Sequence, residues 1–156
     1  MKKLITMLCL IAVITGCEKT EEDSYQALKV TVKYSYSSNP SFGKKLSNDA
    51  FAYLYKDTGK EVDNDKSTIS ILFDTTLTYK DGTSSATPIR SSQKSESVFK
   101  NIPDGNYLLW VGHKSASSDY KTSSTKITIN SKDDIITKNV VLDMDKKSGY
   151  QSWQEE

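Results

Sequence analysis

Apolar and polar residues alternate along much of the chain from Ala27 onward. Every even position from Leu28 to Tyr36 is apolar or aromatic, and the odd positions from Lys29 to Ser35 are polar. A period of two predicts a strand with one buried face. Further stretches predicted as strands are AFAYLYK, STISILFDTTLTY, SVFKNI, NYLLWVGHK, TKITI and IITKNVVLD, with a short edge strand near Ile89.

Polar segments with turn-forming residues separate these strands. KDTGK, KDGTS and PDG are predicted to be turns, and SSNPSFGKKLSND and SASSDYKTSS to be loops. No segment shows a clear helical period. About seven short strands with polar turns predict an all-β fold, a single antiparallel β-sandwich.

The first 17 residues have a different pattern. Lys2 and Lys3 precede twelve mainly apolar residues from Leu4 to Thr15, and the small Gly16 and then Cys17 follow. A basic start, a short apolar run and a small residue are the layout of a secretory signal peptide. A membrane-spanning helix needs about 20 apolar residues, so this run is too short to span a bilayer.

The end of this run, Ile14 to Cys17, resembles the lipobox of bacterial lipoproteins. That resemblance implies cleavage before Cys17 and lipidation of Cys17 with three acyl chains, palmitate among them. Residues 1–16 would then be the signal peptide, and residues 17–26 a flexible acidic tether. An ordinary signal peptide is the alternative.

The tether also carries a charged motif. Lys19 followed by Glu21 to Asp23 resembles the signal that exports some Gram-negative lipoproteins to the outer face of the outer membrane. The resemblance implies a lipid-anchored protein of the outer membrane that faces the cell exterior, and the periplasmic face is the alternative. A solvated tether explains the acids equally simply.

Removal of residues 1–16 takes away Lys2, Lys3 and Cys9. The remaining 140 residues carry 19 basic and 20 acidic side chains, which suits one domain. Without a cluster of cations to neutralise phosphates, we expect no nucleic-acid partner. With Cys17 as the one remaining cysteine and its thiol modified, we expect no disulfide within the chain.

The stretch VFKNIPDGNYLLWV resembles the signature of transthyretin-like (prealbumin-like) sandwich domains, which include carboxypeptidase regulatory-like and Cna-B-like domains. The residues that carry the resemblance are Phe99, Ile102, Pro103, Gly105, Tyr107, Leu109 and Val111. The resemblance implies a sandwich over residues 27–143, followed by a C-terminal tail, residues 144–156. It implies little about function.

No residue pattern indicates catalysis or a bound metal. His113 is the only histidine and is expected to be a surface residue at the end of a strand, since one imidazole cannot form a histidine-based metal site alone. Asp63, Asn64 and Asp65 offer oxygen ligands but lack the spacing of a calcium loop, so a solvated turn is expected. We expect no cofactor, no metal and no enzyme activity.

Aromatic residues offer the stronger indication of binding. If Ala50, Ala52 and Leu54 point into the core, their neighbours on the same strand point outward. The candidate binding surface consists of Phe51, Tyr53, Tyr55 and Trp110. Exposed aromatic rings stack on sugars and anchor protein partners. The alternative is that residues 57–98 or the C-terminal tail cover this face.

Together these patterns predict a non-catalytic, lipid-anchored lipoprotein of the cell envelope. Its partners would be the membrane, through the lipid on Cys17, and a protein or glycan ligand. The function predicted first is a surface binding or accessory module. The alternative is a structural subunit or scaffold of an envelope or pilus-like assembly.

Overall fold

The computed structural model of this protein describes residues 27–85, 87–114, 120–130 and 135–156. The predicted signal peptide, residues 1–16, and the tether with Cys17 lie outside these residues. Within them no helix is long and apolar enough to span a membrane.

The described chain is mostly β-structure with one short helix. A 3-10 turn at Pro40–Phe42 precedes the second strand. The strands and the helix are β1 (Ala27–Ser35), β2 (Lys45–Leu46), β3 (Ala50–Lys56), α1 (Asn64–Phe73), β4 (Leu77–Thr78), β5 (Ser84–Ser85), β6 (Arg90–Ser92), β7 (Glu96–Lys100), β8 (Gly105–His113), β9 (Lys121–Ile129), β10 (Ile135–Asp143) and β11 (Gly149–Tyr150).

Two mixed sheets form the domain. In the first sheet β1 lies between β10 on one side and β7 and β2 on the other. The second sheet has the order β11-β9-β8-β3-β6, and β4 and β5 form a separate ribbon. The pairs β1–β10 and β9–β11 are parallel, so the prediction of a purely antiparallel arrangement is wrong for these two pairs. Alternating residues specify which side chains are buried, but they carry no information on strand direction.

The main core lies between the two sheets, as in a sandwich. The inward positions predicted for β3 and β8 are confirmed for Ala52, Leu54, Leu109 and Val111, which are buried in the core cluster between the sheets. They pack against inward residues of β1, β7, β9 and β10. Full burial of one large apolar side chain stabilises a fold by about 1.5–3 kcal/mol, so this shared core holds the sheets together.

Helix α1 occupies a segment that the alternating pattern predicted as a strand. Alternation would place Ile69, Ile71 and Phe73 on one face, whereas the helix buries Ile71 and leaves Ile69 53% and Phe73 86% exposed. The helix begins after Asp63, whose carboxylate accepts a hydrogen bond from the backbone N–H of Lys66 at 3.1 Å. Aspartate is a preferred N-cap residue, so the predicted solvated turn at Asp63 to Asp65 is instead a helix start.

Two segments predicted as loop or tail contribute to the sheets. Residues Lys121 to Ser124, predicted as part of a loop, form the first half of β9 and pair with β8. In the C-terminal segment, the Gln151 side chain amide donates to the carbonyl of Asp143 at 2.8 Å and accepts from its N–H at 3.1 Å. The C-terminal segment is therefore bound to the end of β10 by specific hydrogen bonds.

The turn between β7 and β8 is fixed by one tyrosine. The hydroxyl of Tyr107 donates to the carbonyl of Pro103 at 2.6 Å, and Phe99 and Ile102, which precede Pro103, are buried. Gly105 has φ +153°, a conformation that other residues adopt rarely. Burial raises the pKa of Tyr107.

Candidate functional site

The four aromatic residues predicted to form an exposed binding surface are buried. Phe51, Tyr53, Tyr55 and Trp110 are 2%, 6%, 1% and 0% exposed. They do lie on the outer face of the second sheet, but Ile71, Leu77 and Leu108 pack with them in a second apolar cluster. The expectation of exposure is therefore corrected, and the alternative of a covered face describes the structure.

Polar contacts hold α1 and the residues after it over this second cluster. The hydroxyls of Thr68 in α1 and Thr122 in β9 lie 3.0 Å apart and are buried. The hydroxyl of Tyr55 donates to the carbonyl of Thr75 at 2.8 Å, and burial raises the pKa of that hydroxyl. Since these buried groups hydrogen-bond to each other, uncovering the aromatic face would leave them without these bonds.

The strands of the sandwich run between two ends, a near end and a far end. The near end is defined by Ala27 and Ile135, where β1 and β10 begin. The far end is defined by Ser35, Ala50 and His113, where β1 ends, β3 begins and β8 ends. At about 3.3 Å per residue, nine-residue β1 places the far end about 26 Å from the near end.

A group of partly exposed rings lies at the far end. This aromatic cluster consists of Tyr34, Tyr36, Phe42 and His113. The ring centroids of Tyr36 and Phe42 are 5.0 Å apart in an edge-to-face arrangement, and those of Tyr34 and His113 are 6.2 Å apart. Aromatic pairs at such distances stabilise each other by about 0.5–1.5 kcal/mol, so the rings are held in place.

The aromatic cluster borders a small cavity, here named the far-end cleft. Its volume is about 180 Å³. The six lining residues are Tyr34, Tyr36, Asn48, Asp49, His113 and Met144. The cleft thus combines partly exposed rings with an amide, a carboxylate and an imidazole.

Backbone hydrogen bonds hold the loops around the far-end cleft. The carboxylate of Asp145 accepts from the backbone N–H of Ser38 at 2.6 Å and fixes the turn that follows Tyr36. This N–H donor lowers the pKa of Asp145. On the other side, the backbone N–H of Lys114 donates to the carbonyl of Asp49 at 2.9 Å. The cleft walls are therefore preformed.

The histidine in the far-end cleft contacts a shielded serine. The hydroxyl of Ser47 lies 2.8 Å from Nδ1 of His113, but Ser47 is 0% exposed. A nucleophile has to reach its substrate, and this hydroxyl is closed off from solvent. The pair therefore acts as a structural hydrogen bond between β8 and the loop before β3. The expected position of His113 at a strand end is confirmed, although the ring is only partly exposed.

A larger groove lies on the side of the domain. Its volume is about 400 Å³, and Val62, Leu108 and Tyr150 provide its apolar lining. Two lysines also line it. Lys60 forms an ion pair with Asp81 at 2.9 Å, and Lys126 forms one with Asp57 at 2.9 Å. Because these charges are already paired, the groove is a weaker candidate than the far-end cleft.

Other sites predicted from the sequence take structural positions. Asp63, in the predicted solvated turn, is the N-cap of α1. Among the residues that the structure describes, no group of three His, Cys, Asp or Glu side chains is placed to hold a metal ion. The lipidation site, Cys17, lies outside the described residues.

Sequence reasoning missed the far-end residues Tyr34, Tyr36 and Phe42 as a site. The alternating pattern places both tyrosines on the buried face of the predicted first strand. Two signals were present: the tyrosines come last in the strand, and a loop with Pro40 and Phe42 follows them. Neither signal shows that the loop folds back onto the strand end.

A search with this chain finds no matching family model, no matching curated protein and no matching solved structure.

Proposed function

We propose that this chain is a non-catalytic lipoprotein, anchored in the outer membrane by lipid on Cys17, that binds a protein or glycan at the cell surface. One observation carries the proposal. The chain enters β1 at Ala27, and the partly exposed aromatic cluster lies at the opposite end of the domain, about 26 Å away. A domain attached through its N-terminus would hold its ring-lined cleft away from the lipid.

The length of the predicted tether supports this arrangement. Residues 17–26 span up to roughly 30 Å when extended, at about 3.3 Å per residue. Each lipid methylene buried in the membrane contributes about 0.8 kcal/mol, and more than one acyl chain is needed for stable anchoring. Three chains on Cys17 would secure the domain, and the tether would allow its far end to meet ligands.

The position of the histidine supports a binding role over catalysis. His113 is the only histidine of the chain, and its Nδ1 contacts the fully buried hydroxyl of Ser47. A hydrolase that used this pair would need its serine accessible. The proposal therefore assigns the imidazole to the wall of the cleft.

We further propose that the sandwich is of the transthyretin-like type, related to carboxypeptidase regulatory-like and Cna-B-like domains. The turn between β7 and β8 supports this classification, because Tyr107 binds the carbonyl of Pro103 and Gly105 takes a positive φ. An experimental structure that superposes on those domains through both sheets would support the classification. A different strand order would contradict it.

A second candidate function is a structural subunit or scaffold of an envelope or pilus-like assembly. It is favoured by the edge of the first sheet, where β10 is the outermost strand in the described part of the chain. Glu155 bridges to Val140, but Ile135, at the other end of β10, is 53% exposed. An exposed strand edge can pair with another chain. Filaments or ladders of cross-linked copies would favour this candidate.

Three measurements test the proposal, one of the lipid anchor and two of surface binding. Mass spectrometry of the N-terminal peptide should show Cys17 as the first residue, with acyl chains attached. A photoreactive amino acid in place of Asn48, combined with a glycan array probed with the full chain, should identify a partner at the far end. An unmodified Cys17 would contradict the anchor. No cross-link and no glycan signal would contradict surface binding.

A further inference from the structure

We propose that the far-end cleft binds one neutral sugar ring, such as the terminal pyranose of a glycan. This inference rests on the proposed function and narrows its ligand to one chemical class. The rings, the polar groups, the charge and the size of the cleft all suit such a ligand.

The partly exposed rings of the cleft suit the C–H face of a sugar. An aromatic ring has a negative face, which attracts the weakly positive C–H groups of a pyranose. Tyr34 and Tyr36 are half-buried, and their ring centroids lie 6.0 Å apart in an edge-to-face arrangement. Both rings line the cleft, so a ligand in it would contact two rings at an edge-to-face angle.

Polar groups beside the rings suit the hydroxyls of a sugar. Asn48 and Asp49 are exposed residues of the cleft wall. An amide both donates and accepts hydrogen bonds, and a carboxylate accepts two or more. The backbone between Ser47 and Ala50 is fixed by an N–H···O hydrogen bond of 3.3 Å. A fixed backbone reduces the entropy lost on binding.

The charge of the cleft disfavours an anionic ligand. Its six lining residues include one carboxylate, from Asp49, and no lysine or arginine. A small organic cation could contact the rings and the carboxylate. It would leave the amide and the two phenol groups without the donors and acceptors that a polyol supplies. A neutral polyhydroxy ring uses more of the groups present.

The size of the cleft limits the ligand to one ring. Its volume of about 180 Å³ is below the roughly 300–1,000 Å³ of pockets that enclose drug-sized ligands. A pyranose has about 12 non-hydrogen atoms, and at typical binding efficiency the dissociation constant is on the order of 1 mM. Tight binding of the cell to a surface that carries the glycan would then require several copies of the lipoprotein.

Saturation-transfer NMR on the purified full chain, in a detergent without sugar groups, tests the proposal. The probes are methyl glycosides of glucose, galactose, mannose and N-acetylglucosamine, with choline and glycerol as comparisons. At least one glycoside should receive saturation on its ring protons, and choline and glycerol should not. Tyr36→Ala and Asn48→Ala should each reduce the signal by about fivefold or more.

A matched control removes a ring elsewhere. Phe73 is 86% exposed, so Phe73→Ala should keep both the fold and the glycoside signal. Thermal unfolding checks that each variant is folded. A signal for choline alone, no signal for any glycoside, or an unchanged signal in folded Tyr36→Ala and Asn48→Ala would overturn the proposal. If the photoreactive group at position 48 still captures a protein partner, the proposed surface-binding function survives that failure.

Discussion

Nδ1 of His113 lies 2.8 Å from the hydroxyl oxygen of Ser47, and this contact joins the end of β8 to the loop that precedes β3. The serine is fully buried and the imidazole is partly exposed. The contact therefore helps to hold the imidazole in the wall of the far-end cleft. The ring of Tyr34 packs beside the same imidazole, with 6.2 Å between the ring centroids.

Substitution Ser47→Ala should lower the free energy of unfolding by about 0.5–1.5 kcal/mol, the usual cost of one lost hydrogen bond. Ser41→Ala is the matched control, because the hydroxyl of Ser41 bonds to Asn39 in an exposed position. The control should change stability by less than about 0.5 kcal/mol. Urea unfolding of both variants checks the difference. Equal stability of the two would contradict a structural role for the Ser47–His113 contact.

Removal of one hydroxyl should weaken the turn between β7 and β8. In Tyr107→Phe the ring keeps its place in the core, but the carbonyl of Pro103 loses its donor. We expect a loss of about 1–2 kcal/mol in the free energy of unfolding. Denaturant unfolding at neutral pH measures it, with Tyr36→Phe as the comparison from the cleft rim. A Tyr107→Phe chain as stable as the wild type would show that the bond contributes nothing.

A methyl group at Gly112 should disturb the contact between β8 and the second apolar cluster. A Cβ atom there would clash with the Phe51 ring and lie 2.7 Å from the carbonyl oxygen of Lys121. Gly112→Ala should therefore cost about 1–3 kcal/mol, as overpacking does. Adding Phe51→Leu should recover part of the loss, since the smaller side chain gives way. If the double variant lost as much free energy of unfolding as the two single variants together, or more, this explanation would be contradicted.

Acid should weaken the turn that contains Asp81. Its carboxylate accepts from the side-chain hydroxyl of Thr83 at 2.7 Å and from the backbone N–H of the same residue at 2.9 Å, and it pairs with Lys60. These contacts lower the pKa of Asp81 from 3.8 to about 2. Because the folded pKa lies below the unfolded one, the contribution is present above about pH 4 and is lost as the pH falls toward 2.

The variant Asp81→Asn tests that dependence. It should be less stable than the wild type at pH 7, and the difference should shrink as the pH falls from about 4 to 2. Thermal unfolding at several pH values within this window measures the change. A difference that stays constant across the window would show that Asp81 does not lose its contribution by protonation.

The sequence predicts the faces of the strands better than their surroundings. In β1, β3 and β8 the alternating residues identify the inward side chains, because one face of each strand packs on the shared core. The position of Phe51 opposite Ala50 and Ala52 is likewise correct. Its burial depends on how residues 57–98 fold back over the sheet, and a local pattern does not contain that contact.

Helix α1 shows why the remaining elements escape a local pattern. Ile69, Ile71 and Phe73 alternate as they would in a strand, and only Asp63, a preferred N-cap residue, indicates a helix start. The helix forms where Ile71 can enter the second apolar cluster. The far-end cleft is similar, because it combines β1 with residues near 48, 113 and 144, which only the tertiary fold brings together.

Cysteine labelling on intact cells tests the central claim, a lipid-anchored domain that presents its far end to the exterior. Asn48→Cys places a thiol at the rim of the far-end cleft. If Cys17 is lipidated and Cys9 is removed with the signal peptide, this is the only free thiol of the mature chain. A membrane-impermeant maleimide should label Asn48→Cys on intact cells and leave the wild-type chain unlabelled. Labelling of the wild-type chain would contradict lipidation of Cys17, and labelling of Asn48→Cys only after membrane disruption would contradict surface exposure.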